Sequence, residues 1–218
     1  MKWAAIGLGL MLLPCPAQSA SFSVSGVTFS DKLGGFVLER VTGHGSVDDP
    51  FVVVERMTNP EGGTLLFRAD PAFGNRIGSI DQIGFALVKV VENMTGHPWT
   101  SFELELQSKL GIPSDDLDEL SFGQGSTAGR PFTATSFSLV TIVDEPFDRI
   151  EYENGNVPAG GRVTLRLVIS QPASLHEAYL AQRPGRPVAN GTVPGRSRAN
   201  VERCAVGCTV RTAKVYAG

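Results

Sequence analysis

Residues Phe85 to Gln107 read FALVKVVENMTGHPWTSFELELQ, the most sharply patterned stretch of the chain. From Phe102 the pattern is strict alternation: Phe102, Leu104 and Leu106 fall on one side, Glu103, Glu105 and Gln107 on the other. A period of two describes a strand with one face on a core and the other in water. Ala86 to Val91 is apolar on both faces apart from Lys89, as a strand in the middle of a sheet would be. Between the two lies Asn93-Met94-Thr95-Gly96-His97-Pro98. Asn and Gly tolerate positive φ, and Pro fixes φ and cannot continue a ladder, so the chain turns here. Trp99 stands where the second strand begins and is expected to plug one end of the core.

The same grammar recurs along the chain. Strand patterns occupy Ser21 to Ser30, Phe36 to Val41, Phe51 to Val54, Thr64 to Arg68 and Phe132 to Val143. Val163 to Ile169 is the last clear one, with Val163, Leu165, Leu167 and Ile169 facing in and Thr164, Arg166 and Ser170 facing out. Glycine, proline, asparagine and aspartate clusters separate them, at 43–50, 59–63 and 154–156 for example. Two places read ambiguously. Ser114 could cap one helical turn carrying Leu117 and Leu120, and Ser174-Leu175-His176-Glu177 has the form of a capping box, with a strand through Ala178 to Ala181 as its rival. The whole predicts an all-β protein, an antiparallel β-sandwich of about eight short strands spanning 21–183. Leu104, Leu106, Leu165 and Leu167 are expected inside, and Glu103, Glu105 and Arg166 outside.

Both ends read differently. Lys2, the apolar run Ala4–Leu13 and the small-x-small Ala17-Gln18-Ser19 make 1–20 a signal peptide, cut after Ser19 or near Ala20. The mature chain is then exported to the periplasm or outside the cell, with no transmembrane segment expected in it. Leu12-Leu13-Pro14-Cys15 resembles a lipobox with Pro14 in the small-residue position. Residues 184–218 lose all periodicity and read as a disordered basic tail. Cys204 and Cys208 both lie in it, so the main domain has no disulfide framework.

Residues 20–181 carry 11 basic and 21 acidic residues, net −10, whereas 182–218 carry 7 basic residues and one acid. An acidic body argues against nucleic acid as a partner. His44, His97 and His176 each lie in or beside a turn, and no nucleophile motif accompanies them, so no catalytic residue is assigned and an enzyme is not expected. No cofactor is called for. Asp115, Asp116 and Asp118 form an oxygen-rich loop of the kind that holds calcium, without EF-hand spacing. With Trp99 they are the binding candidates.

Val91 to Leu106 reads V-x-N-x-T-G-x-x-W-x-x-F-x-x-x-L. This segment resembles exported bacterial proteins of the PEP-CTERM type, which carry it in a sandwich-like domain. Val157-Pro158-Ala159-Gly160-Gly161 and Gln182-Arg183-Pro184 resemble the end of such domains. The family's sorting signal, Pro-Glu-Pro with an apolar span and a basic end, is absent: Val193-Pro194-Gly195 stands in its place with no apolar span after it. The resemblance implies an exported β-sandwich and is silent on activity; the expected role is a non-enzymatic structural or interaction module of the cell envelope or extracellular matrix. Its partners would be extracellular polysaccharide or envelope proteins. A carbohydrate-binding or calcium-assisted adhesion domain, or a secreted hydrolase, are the alternatives. The first would need exposed aromatics, for which Trp99, Tyr152 and Tyr179 are at hand.

Overall fold

The structure, a computed structural model, describes residues 19–78, 83–115, 118, 120–123, 132–145, 147–171, 177–185, 200–203 and 209–214. In chain order its strands are β1 (Ser21–Val24), β2 (Val27–Ser30), β3 (Phe36–Thr42), β4 (Phe51–Met57), β5 (Gly63–Ala69), β6 (Ile83–Asn93), β7 (Ser101–Lys109), β8 (Ile112–Pro113), β9 (Thr133–Ala134), β10 (Phe137–Glu145), β11 (Arg149–Gly155), β12 (Arg162–Gln171), β13 (Ala178–Gly185), β14 (Asn200–Arg203) and β15 (Thr209–Lys214). They form two sheets. The larger runs β1-β2-β5-β13-β7-β11-β10-β15-β14, with β8 beside β7; the smaller runs β3-β4-β6-β12-β9. Pairing is antiparallel except at β4–β6 and β10–β15. The protein is an all-β sandwich, and among the described residues there is no helix.

The alternating strands take the expected register. Leu104, Leu106, Leu165 and Leu167 are buried and Arg166 is exposed, whereas Glu103 is half-buried and Ser170, expected to face out, is fully buried. One apolar cluster joins the inner faces of both sheets. At its centre Phe85 of β6 meets Phe29, Phe51, Phe67 and Phe73 edge to face, at centroid distances of 5.5 to 6.2 Å. Tilted aromatic pairs of this kind add about 0.5–1.5 kcal/mol each beyond their buried area.

β6 is central in its sheet, between β4 and β12, which accounts for its apolar character on both faces. β7 does not pair with it. The turn at 94–100 carries the chain from the small sheet to the large one, and hydrogen bonds hold that crossing. The Asn93 amide, fully buried, donates from Nδ2 to His97 O (2.7 Å), Val157 O (3.0 Å) and Pro158 O (3.2 Å). Its Oδ1 accepts from Thr95 N and Thr95 Oγ1, and Thr95 Oγ1 in turn accepts from Trp99 Nε1 at 3.0 Å. Trp99 and Val157 exchange backbone bonds, as do Asn93 and the Gly160-Gly161 turn. Asn93 therefore serves through its side chain and not, as its place in a turn suggested, through positive φ; Gly96 takes that role at φ +78.

Three expectations are corrected. The strand count is higher than eight, because the first strand divides at Ser25-Gly26 and short edge strands are added. Glu105 is not exposed but 8% accessible, covered by its hydrogen-bonded neighbours on the outer face. The capping-box reading near 174 gives way to strand β13, whose main chain is claimed on both sides by β5 and β7. Beyond 183, β13 runs through Gly185, and two later stretches pair: β15 lies parallel on β10, and β14 folds back on β15. Such pairing rests on main-chain groups offered by the edge of β10, and asks little of a sequence poor in large apolar residues. Residues 1–18, Cys204 and Cys208 lie outside the described residues.

Candidate functional site

The outer face of the large sheet gathers the polar groups that lie outside the core. β7, β13 and β11 bring their outward residues into rows: Arg183 opposite Glu103 opposite Glu151, and Ala181 opposite Glu105 opposite Arg149. The Arg183 guanidinium bridges Glu103 (2.5 Å) and Glu105 (2.9 Å). Arg149 lies between Glu103 (3.7 Å) and Glu151 (3.2 Å). Gln107 donates to Glu105 Oε1 at 2.8 Å. Burial pushes the Glu105 carboxyl upward, but the hydrogen bonds from Arg183 and Gln107 outweigh it and hold the group below its ordinary value. Arg166, which also faces outward, lies on the other sheet and takes no part in this network.

Toward the β1 edge this face hollows into a shallow groove of about 750 Å3, lined by Ser23, Thr28, Arg68, Asp70 and Glu177 among others. Arg68 donates to Glu177 Oε2 at 2.5 Å, and the Tyr179 hydroxyl donates to Glu177 Oε1. These bonds, Tyr179 first and Arg68 second, lower the Glu177 pKa, and the bond to Glu177 raises that of Tyr179. A carboxylate, a guanidinium and a phenol at one rim can meet hydroxyl-rich ligands.

The residues singled out from sequence do not come together. Trp99 is 1% exposed, packed in the core 5.4 Å from Phe102, and cannot stack on a ligand. Tyr152 is fully buried as well, with a hydroxyl that finds no partner and a pKa pushed up by burial. Of the three aromatics considered, Tyr179 alone reaches the surface, half-buried. Asp118 serves its own turn: Oδ1 accepts from Ser114 Oγ (2.6 Å) and Leu120 N (3.1 Å), and Oδ2 from Asp115 N. Asp116 lies outside the described residues. Among the described residues no three His, Cys, Asp or Glu side chains gather as a metal site would need. His44 and His97 are exposed, and His44 Nδ1 contacts Asp49 at 2.5 Å. His176 is outside the described residues.

A second polar cluster, which the sequence did not announce, sits inside the sandwich. Glu55 of β4 and Lys89 of β6 both point inward, are fully buried, and meet at 2.8 Å between Nζ and Oε2. The side chain of Gln182, inward from β13 of the other sheet, stands beside the Glu55 carboxyl and is also fully buried. Glu55 Oε1 and both polar atoms of the Gln182 amide make no hydrogen bond. Burial dominates both charged groups. It raises the Glu55 pKa and lowers that of Lys89 against their mutual attraction, so the uncharged forms gain. The signal available in sequence was Lys89 alone, the one polar residue in an apolar run, with Glu55 as the only acid ending the run Phe51–Val54.

No family model, curated protein or solved structure matches this chain.

Proposed function

We propose that the protein is an exported, non-enzymatic β-sandwich that serves as a structural or interaction module of the cell envelope or extracellular matrix. One observation carries the non-enzymatic part. The charged groups on the outer face of the large sheet are joined to one another across strands, with Arg183 clasped by Glu103 and Glu105 and Arg149 set between Glu103 and Glu151. A catalytic acid or base needs a reachable proton position and a tuned pKa. Carboxylates saturated by arginine offer instead a rigid, hydrated docking face. Export rests on the signal-peptide pattern of 1–20, and on the likeness of Val91–Leu106 to exported PEP-CTERM-type proteins.

The test is expression of the full chain in a bacterial host, fractionation, and N-terminal sequencing, followed by activity screens on the purified protein. An exported product beginning near Ala20 supports the reading. A cytoplasmic product retaining Met1 overturns export. Turnover of ester, peptide or glycoside substrates overturns the non-enzymatic part.

The groove beside Arg68, Glu177 and Tyr179 favours a second reading, a carbohydrate-binding or adhesion domain. Retention on envelope polysaccharide that Arg68→Ala abolishes would favour it over a purely structural role.

A further inference from the structure

The buried trio Glu55, Lys89 and Gln182 is costly as it stands. A fully buried ion pair rarely recovers its desolvation, and three further polar atoms beside it have no partner. The arrangement has a chemical resolution. The Glu55 carboxyl group meets the Lys89 amine at 2.8 Å and stands beside the primary amide of Gln182, all three fully buried, on strands from both sheets.

We propose that Lys89 and Gln182 join in an intramolecular isopeptide bond, with Glu55 as the proton-transfer group. Lys89 first gives a proton to Glu55, across the 2.8 Å contact, and becomes a neutral amine. Its Nζ attacks Cδ of Gln182, forming the Nζ–Cδ bond. The Cδ–Nε2 bond breaks, and the leaving nitrogen takes the proton from Glu55 and departs as ammonia. Glu55 recovers a proton from the attacking Nζ. Atoms and charges balance without oxidant, reductant or external co-reactant. The reaction converts a buried ammonium and an unpaired amide into one neutral secondary amide. The direction of the pKa shifts at Glu55 and Lys89 favours the neutral pair the step needs.

The product would be a covalent staple across the sandwich. It would tie β6, the central strand of the small sheet, to β13, which lies between β5 and β7 in the large one. The described domain contains no cysteine that could supply a disulfide in its place.

The experiment is intact mass spectrometry of the purified, denatured full chain, with peptide mapping. The expected mass is one ammonia below the sequence mass. The map should show a branched peptide joining the segments around Lys89 and Gln182, and no tryptic cleavage after Lys89. Lys89→Arg and Glu55→Gln should restore the unbridged mass relative to their own sequences. The result on the unaltered chain decides the matter even if those variants do not fold. An unmodified mass overturns the proposal. So does an ammonia loss that maps to another residue, or a loss of water, which would place the bond between Lys89 and Glu55.

Discussion

Replacing Asn93 with alanine tests what holds the crossing between the sheets. The substitution removes the three Nδ2 contacts to His97 O, Val157 O and Pro158 O and the two bonds that Oδ1 accepts from Thr95. The amide has two N–H groups for three acceptors, so one hydrogen is shared. Val157 O keeps Trp99 N as a donor, and His97 is exposed enough for water to replace the amide. Pro158 O likewise keeps Gly161 N as a donor, so two to three net hydrogen bonds are lost, at about 1 kcal/mol each, plus the penalty of leaving Thr95 N short of a partner. The expected loss is about 2–4 kcal/mol, a large share of the roughly 5–15 kcal/mol available to a domain. Urea unfolding followed by Trp99 fluorescence reads it directly. Trp99 is buried in the native state, and the chain's other tryptophan, Trp3, lies outside the described residues. With a slope of about 2–3 kcal/mol/M, the midpoint should fall by about 0.7–2 M at unchanged slope. Thr95→Val, which removes the hydroxyl linking Asn93 to Trp99 Nε1, should cost about 1–2 kcal/mol. The double variant should cost less than the sum, because both substitutions break one network. A loss under about 0.5 kcal/mol for Asn93→Ala, the level of an ordinary surface change, would refute the reasoning.

Leu104→Ala should cost about 2–5 kcal/mol in the same assay, the range for truncating a core leucine, and a near-neutral effect would contradict its inward register. Gly62→Ala should prevent folding or lower the midpoint sharply in thermal unfolding. Its φ is +95, and an added Cβ would lie 1.9 Å from Gln182 O, a main-chain atom that cannot yield. Glu105 has a carboxyl pKa held below its ordinary 4.5, so its contribution to stability is full above that value and is lost as pH falls through the lower folded value. Stability measured against pH should therefore drop less steeply below about pH 4.5 in Glu105→Gln than in the unaltered protein, and parallel curves would show that the Arg183 pair contributes nothing.

How much of the fold was legible depends on how local its cause is. The alternation of Phe102–Leu106 and Val163–Ile169 is a property of single strands, so burial followed from sequence alone. Where β13 lies was not legible, because Ala178–Gly185 is short and its state was decided by two partners, β5 and β7, from distant parts of the chain. Tertiary pairing overrode a capping pattern that was locally sound. Glu105 misled for a related reason: alternation places a residue on a face but does not say what else stands on that face. Arg183 and Gln107 cover it, and only the register of β7 against β13 brings Arg183 there.

The two polar clusters differ in a way that separates surface chemistry from core chemistry. On the outer face, the ion pairs among Glu103, Glu105, Arg149 and Arg183 are partly hydrated, so each contributes modestly and is weakened by salt. Inside, Glu55 and Lys89 have no water to share their charge, and their pKa values move toward each other instead of apart. Single-strand pattern reading treats both as polar residues within β runs, because hydropathy is blind to what lies across the sandwich. Gln182 decides the difference. Its sequence setting, Gln182-Arg183-Pro184, looks like the frayed end of a domain, yet β13 threads it between two strands and turns its amide onto Glu55. An inward glutamine with neither amide atom bonded is hard to retain as a packing residue, since leucine would fill similar space without the polar penalty. Its presence opposite an amine and a carboxyl group is explained by reactivity more readily than by stability.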